Sequence, residues 1–207
     1  MTHTEREVSI AADRDAMIVI LIDLQQQFTE GCADDVQSKL SRIKQLILLA
    51  KYLGIPLLAT LEVPLDRKGS LIDSLKDGFP APPSGHVMTK VSYDLCGEES
   101  IRTSILETGR AQCVVVGAET DVCVMQSVLG LLRLGLDVFV IEDCLLSSET
   151  SVESSLRRMS NGGAILTTWK SLYYELVRTD DLENELRFNQ RLASQGFVPP
   201  DPRRAPG

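Results

Sequence analysis

Apolar and polar positions follow two rhythms along this chain, and the rhythm changes where glycine or proline intervenes. AMIVILIDL (16–24) is continuously apolar and rich in β-branched residues. That is the pattern of a strand buried on both faces, and so of a parallel sheet. VQSKLSRIKQLILLAKYLG (36–54) instead spaces Leu40, Ile43, Ile47 and Ala50 at helical intervals and closes on Gly54, a C-cap residue. IPLLATLEV (55–63), HVMTKVS (86–92), AQCVVVGAE (111–119), LDVFVIEDCL (136–145) and GAILTTW (163–169) read as further strands. EESIRTSILETGR (98–110), DVCVMQSVLGLLRLG (121–135), SETSVESSLRRMSNG (148–162) and KSLYYELVR (170–178) read as helices. The span 64–86, rich in proline and glycine, reads as a loop with one short helical piece near SLIDSLKDG.

Strands alternating with helices predict βαβ units and a parallel sheet covered on both faces. The expected fold class is α/β: a three-layer α/β/α sandwich around a six-stranded parallel sheet, Rossmann-like. A single domain is expected over residues 1–178. Residues 179–207 form a polar extension that ends in the proline-rich VPPDPRRAPG.

Composition narrows the functions open to such a fold. The chain has 207 residues, 43% of them apolar, enough for one well-packed core. A net charge of −8 argues against nucleic acid and against anionic membrane surfaces as partners. No apolar run approaches the ~18 residues of a membrane span, and the charged MTHTEREVSI lacks the apolar core of a signal peptide. The expectation is a soluble, cytoplasmic protein. Five cysteines (Cys32, Cys96, Cys113, Cys123 and Cys144), an odd number with no CxxC pair, predict free thiols rather than disulfides or a zinc site. The only histidines are His3 and His86, without ligand spacing, so no metal is expected. No GxGxxG occurs, and GAETDV lacks the further glycines of a dinucleotide turn, so no cofactor is expected either.

In parallel sheets reactive groups collect at the carboxyl ends of the strands. Asp23 ends the first predicted strand, Lys90 the third, and Cys123 follows the fourth. A cysteine attacks carbonyls as the thiolate, which requires a lowered pKa or a nearby base. Asp23 is placed to take the proton and Lys90 to favour the charged state. A helix beginning near Asp121 would add N–H groups able to hold an oxyanion. Each residue alone has an ordinary explanation: Asp23 a turn cap, Lys90 a surface lysine, Cys123 a core thiol. The set at one sheet edge is the stronger signal. His86 starts the third strand and would be carried to the opposite edge.

These motifs resemble the isochorismatase-like cysteine hydrolase family. DLQQQF supplies an Asp-x-Gln-x-x-Phe pattern in Asp23, Gln25 and Phe28; TKVSYD supplies the strand-end Lys90; GAETDVCV supplies the segment ending in Cys123. The resemblance spans roughly residues 16–178. It implies that Asp23 deprotonates Cys123, that the thiolate attacks an amide carbonyl with Lys90 keeping the pair charged, and that the N–H groups of Glu119 and Cys123 form the oxyanion hole. It also implies a cis peptide between Ala118 and Glu119. Nicotinamidases in the family bind a metal through Asp-x-His after the second strand. TLEVPLD offers Glu62 in place of the Asp and Pro64 in place of the His, so the metal-independent branch is expected. Phe28, Glu62 and Tyr93, with Leu24, are the expected walls of the substrate pocket. Relatives are commonly oligomers, so a homo-oligomer is expected, and the extension would suit an arm exchanged between subunits.

The leading class is therefore a cysteine-dependent hydrolase of a small-molecule amide or related C–N bond through a thioester. Vinyl ether hydrolysis of the isochorismatase type stands as an alternative. So does a non-catalytic oligomeric scaffold or binding protein with a retained site. A redox-sensing pair of Cys123 with Cys96 is a further possibility.

Overall fold

Six consecutive apolar residues leave strand β1 (Met17–Ile22) no face to present to water, and all six are buried. A computed structural model describes residues 10–32 and 35–201. In chain order β1 is followed by α1 (Gln26–Glu30), α2 (Val36–Leu53), β2 (Leu57–Glu62), α3 (Leu65–Lys68), α4 (Asp73–Lys76), β3 (Gly85–Lys90) and α5 (Glu99–Glu107). Then come β4 (Gln112–Ala118), α6 (Met125–Arg133), β5 (Asp137–Leu146), α7 (Glu153–Asn161), β6 (Ile165–Thr167), α8 (Trp169–Val177), α9 (Asp180–Phe188) and α10 (Gln190–Ser194).

The strands form one six-stranded sheet in the order β3-β2-β1-β4-β5-β6, with every pairing parallel. The chain winds outward from β1 to β3, then returns to β4 and winds the other way. The switch point lies between β1 and β4, where sites of such sheets form. Side chains of β1 alternate between two cores. Met17, Val19 and Leu21 pack with α2, α8, α9 and α10, while Ile18, Ile20 and Ile22 pack with α5, α6 and α7. That alternation is the strand's two-residue period seen from both sides, and it makes the three layers expected from the sequence.

Helix α2 ends as its sequence requires: Gly54 is left-handed at φ 71 and its N–H caps the carbonyl of Ala50. The described part of the extension folds back on its own chain. Leu186, Leu192 and Phe197 are buried in the α2 core, and Gln45 of α2 exchanges hydrogen bonds with Gly196 and Val198. Residues 1–9, including His3 and most of the N-terminal segment, and the final 202–207 lie outside the described residues. Among the described residues no helix is long and apolar enough to cross a membrane.

Several elements depart from the sequence reading. The short helices α1 and α3 and a 3₁₀ turn at Leu95–Gly97 were unmarked by periodicity, because one turn carries too few positions to show a period. The helix expected from residue 121 starts as a π-helical turn over Thr120–Val124 before α6. Val124 N–H bonds the carbonyl of Glu119, and Met125 N–H that of Thr120, a five-residue closure that widens the turn. The helix expected from 148 begins only at Glu153.

Candidate functional site

The four strands β3, β2, β1 and β4 are neighbours, and each delivers one reactive group at its carboxyl end: Lys90, Glu62, Asp23 and Cys123. Asp23 directly follows β1 with φ 47. This left-handed conformation is uncommon outside glycine, although aspartate tolerates it better than most residues. It turns the chain sharply, and the Asp23 carboxylate is fully buried. Thr60 on β2 donates to Asp23 Oδ1 at 2.8 Å.

Lys90 closes β3 and reaches across β2. Its ammonium lies 2.6 Å from Asp23 Oδ2 and 3.7 Å from Glu62 Oε2. It also donates to the Ser92 carbonyl at 3.0 Å and toward Cys123 Sγ at 3.6 Å. Ser92 is itself fixed by Glu98, which accepts from the Val91 and Ser92 N–H groups and the Ser92 hydroxyl. A buried ammonium requires such a shell, since an unpaired charge there costs several kcal/mol.

Cys123 sits in the π-helical turn, 3% exposed, with its Sγ donating to Glu62 Oε2 at 3.2 Å. The turn is pinned to the end of β5: Thr120 Oγ1 donates to the Leu146 carbonyl, and Ser147 Oγ to Asp121. The Ala118–Glu119 peptide at the base of this turn is cis.

Glu62 was expected as a pocket wall, and the structure brings its carboxylate against the sulfur. Its other oxygen pairs with Lys68 on α3. The buried side chain of Gln25 holds the backbone around it, accepting from Glu62 N–H at 2.7 Å and donating to the Glu62 carbonyl at 3.1 Å and the Gly69 carbonyl at 2.7 Å. Gln25 thus fixes the end of β2 and the end of α3 together. Phe28 is half-buried with Lys68 Nζ 5.8 Å from its ring centroid, and Tyr93 is largely exposed. Leu24 is buried in the core and not on a pocket wall.

Burial and pairing set the charges. Burial raises the Asp23 carboxyl above its ordinary range, and the Lys90 charge opposes that shift only partly. Burial works against the Lys90 charge, but Asp23 outweighs it and holds the ammonium above its ordinary value. Burial works against ionised Glu62 as well, yet Lys68, the thiol and Lys90 together hold its pKa down. Burial, then the Asp23 charge, pushes the Cys123 thiol well above its usual value despite Lys90. Cys96 and Cys113 are each pushed up to about 12, chiefly by burial, and none of the five cysteines forms a disulfide.

The donor atoms of Asp23, Glu62 and Cys123 lie within 4.8 Å of one another, a spacing a metal ion could use. The Lys90 ammonium already stands among those donors, so the cation of this cluster is part of the chain. His86 occupies the amino end of β3, paired in register with Leu58, far along the strand from Lys90.

The family model for the isochorismatase domain matches residues 17–171. The chain is 28% identical over 179 residues to the protein described as probable hydrolase YcaC of Escherichia coli K12, covering 86% of this chain and 84% of that one. It is 29% identical over 168 residues to isochorismatase domain-containing protein 2A of Mus musculus, covering 79% and 76%. The crystal structure of the Escherichia coli YcaC gene product, described as an octameric hydrolase of unknown specificity, superposes with a TM-score of 0.80 at 26% identity over 91% of this chain and 92% of that one. A Staphylococcus aureus nicotinamidase shares the fold, with a TM-score of 0.65 at 21% identity, covering 74% of this chain and 99% of that one.

Proposed function

The chain belongs to the isochorismatase-like hydrolase family, and from that premise we propose that it hydrolyses a small amide or related C–N bond through a thioester on Cys123. The observation that carries this reading is the convergence of Asp23, Lys90 and Cys123. A buried thiol lies within 4.8 Å of a buried carboxylate, and one ammonium touches both.

Asp23 is the general base. Burial raises its pKa, which makes it a better proton acceptor than an ordinary carboxylate, and the Lys90 ammonium 2.6 Å away favours its ionised form. It takes the thiol proton as the sulfur closes on the substrate carbonyl carbon. The carbonyl electron pair moves to oxygen, and the N–H groups of Glu119 and Cys123 hold that oxyanion. When the intermediate collapses, the C–N bond breaks and Asp23 returns its proton to the leaving nitrogen. Water, deprotonated by Asp23, then attacks the thioester and releases the acid and the thiol. Lys90 keeps net charge low as the negative charge passes between carboxylate and sulfur. No step calls for a metal or an organic cofactor.

The test is a panel of small neutral amides assayed with wild type, Cys123→Ser and Asp23→Asn, with intact-protein mass read during turnover. Amide release and an acyl adduct on Cys123 are expected in wild type and lost in Cys123→Ser. Hydrolysis surviving in Cys123→Ser would overturn the thioester and favour chemistry without thiol attack, such as vinyl ether hydrolysis.

The assembly we propose is a homo-oligomer, supported by the octameric description of the Escherichia coli relative. A monomeric mass by light scattering at micromolar concentration would refute it.

A further inference from the structure

Glu62 is hard to explain as a by-product of the fold. A second ionised carboxylate 3.2 Å from a sulfur that must become anionic opposes the reaction. Yet the chain invests several contacts in keeping it there. Gln25, itself fully buried, clamps the Glu62 backbone from both sides and ties Gly69 to it, which brings Lys68 onto Oε1. Oε2 is thereby left facing the sulfur and Lys90. An ionised carboxylate is acceptor-only, so at rest its partner at the sulfur is the thiol hydrogen.

We propose that Glu62 is the specificity-determining residue of the site. Its Oε2 accepts an N–H from the nitrogen side of a neutral carboxamide or ureido substrate, and it excludes substrates that carry an anion next to the scissile bond. This rests on the cysteine-nucleophile reading above. The geometry supplies the reason. A carbonyl carbon within attack distance of Sγ places its attached nitrogen about one hydrogen bond from an acceptor that is itself 3.2 Å from Sγ. Docking of that N–H displaces the S–H from Oε2, and the thiol hydrogen is then free to turn to Asp23. The ordered site carries Asp23 and Glu62 against Lys90 and Lys68, so it is balanced without substrate. A substrate carboxylate would add an uncompensated charge beside Oε2, whereas a neutral amide adds none. Gln25 and Lys68 are positioning residues in this scheme, acting through Glu62.

The test needs no knowledge of the natural substrate. Cys123 is alkylated with iodoacetamide, with iodoacetate and with the N,N-dimethyl analogue of iodoacetamide, and the rates are read at Cys123 by peptide mass spectrometry. The urea-unfolded chain gives each reagent's intrinsic rate. In wild type the iodoacetamide-to-iodoacetate ratio is expected about tenfold or more above the unfolded reference, because like charges about 4 Å apart are strongly repulsive near a protein interior. Glu62→Gln should bring that ratio to within about threefold of the reference and should also lower the preference for iodoacetamide over its dimethyl analogue, since a neutral acceptor binds N–H less strongly. Lys68→Met, which removes a cation and keeps the carboxylate, should widen the iodoacetamide-to-iodoacetate ratio. Opposite shifts in the two variants distinguish charge selection from general loosening, which would move both the same way. Unchanged ratios, or narrowing in both variants, would overturn the role of Glu62 while leaving the nucleophile intact. Failure of Cys123 to react with any reagent in wild type would overturn the nucleophile reading and this inference with it.

Discussion

Replacing Lys90 by methionine removes the one cation among the described residues that touches Asp23, and the cost follows from the geometry. Asp23 is fully buried and would keep no charged partner to replace Lys90, only neutral ones such as the Thr60 hydroxyl. Leaving a buried carboxylate ionised after its partner is removed costs about 3–5 kcal/mol. The alternative is for Asp23 to bind a proton. From its ordinary pKa of 3.8, at about 1.36 kcal/mol per pH unit, that costs at most about 5 kcal/mol at pH 7.5 and about 1.6 kcal/mol at pH 5.0. The sign is set by linkage. The folded variant holds a proton that the unfolded chain has lost, so its stability falls as pH rises above the unfolded value. Chemical denaturation of wild type and Lys90→Met at both pH values reads the difference directly. The expected loss is about 3–5 kcal/mol at pH 7.5, shrinking by up to about 3.4 kcal/mol at pH 5.0. Asp23→Asn in the Lys90→Met background should recover most of the loss at pH 7.5, because the charge to be neutralised is then gone. A loss below about 1 kcal/mol at pH 7.5, or one equal at both pH values, would refute the claim that Lys90 compensates a buried charge.

Other outcomes follow from the same structure. The acid limb of kcat/KM for amide hydrolysis should lie above the ordinary carboxylate value of 3.8, because the base must be ionised and burial raises Asp23; a limb at or below that value in a pH–rate profile would exclude Asp23. Gly117→Ala should destabilise by more than about 3 kcal/mol in urea denaturation, since φ is 140 and the added Cβ would lie 2.1 Å from the Ile22 carbonyl oxygen. Gly54→Ala, left-handed but with open space around the new Cβ, should cost only about 1–2 kcal/mol in the same assay. Truncation after Arg178 would expose the surface that Leu186, Leu192 and Phe197 cover; at roughly 1.5–3 kcal/mol for each side chain, thermal melting should show a large loss of stability or no cooperative transition.

What could be read in the sequence, and what could not, divides along physical lines. MIVILI declares a doubly buried strand because every position is apolar, and strand ends declare reactive residues because the carboxyl edge of a parallel sheet is where side chains emerge. On that rule Asp23, Lys90 and Cys123 were found, and the structure brings them together. The same rule applied to TLEVPLD would have promoted Glu62, which ends β2 as Lys90 ends β3 and pairs with it in register. Gln25 is picked out of a run of three glutamines only by the Asp-x-Gln-x-x-Phe resemblance, and nothing in that run says that its side chain clamps the end of β2. Lys68 lies on a helix of four residues inside a proline- and glycine-rich span, too short to show a period. The protonation of Cys123 was illegible for another reason: it depends on burial and on two carboxylates from other strands, which only the folded arrangement supplies.

Because the reactive groups are delivered by adjacent strands, their spacing is a property of the sheet. Neighbouring strands sit ~4.8 Å apart and resist compression, since any change stretches a whole ladder of hydrogen bonds. Asp23, Glu62 and Lys90 are therefore held in a gauge that loops do not set, and the π-helical turn after β4 brings Cys123 to it. The segment 63–84, with its two short helices, lies outside that gauge and brings Lys68 onto Glu62. Insertions or exchanges there can change which molecule is admitted while the reacting distances stay the same. For anyone seeking to redirect this enzyme, that segment is the part to rewrite, and the four strand ends are the part to leave alone.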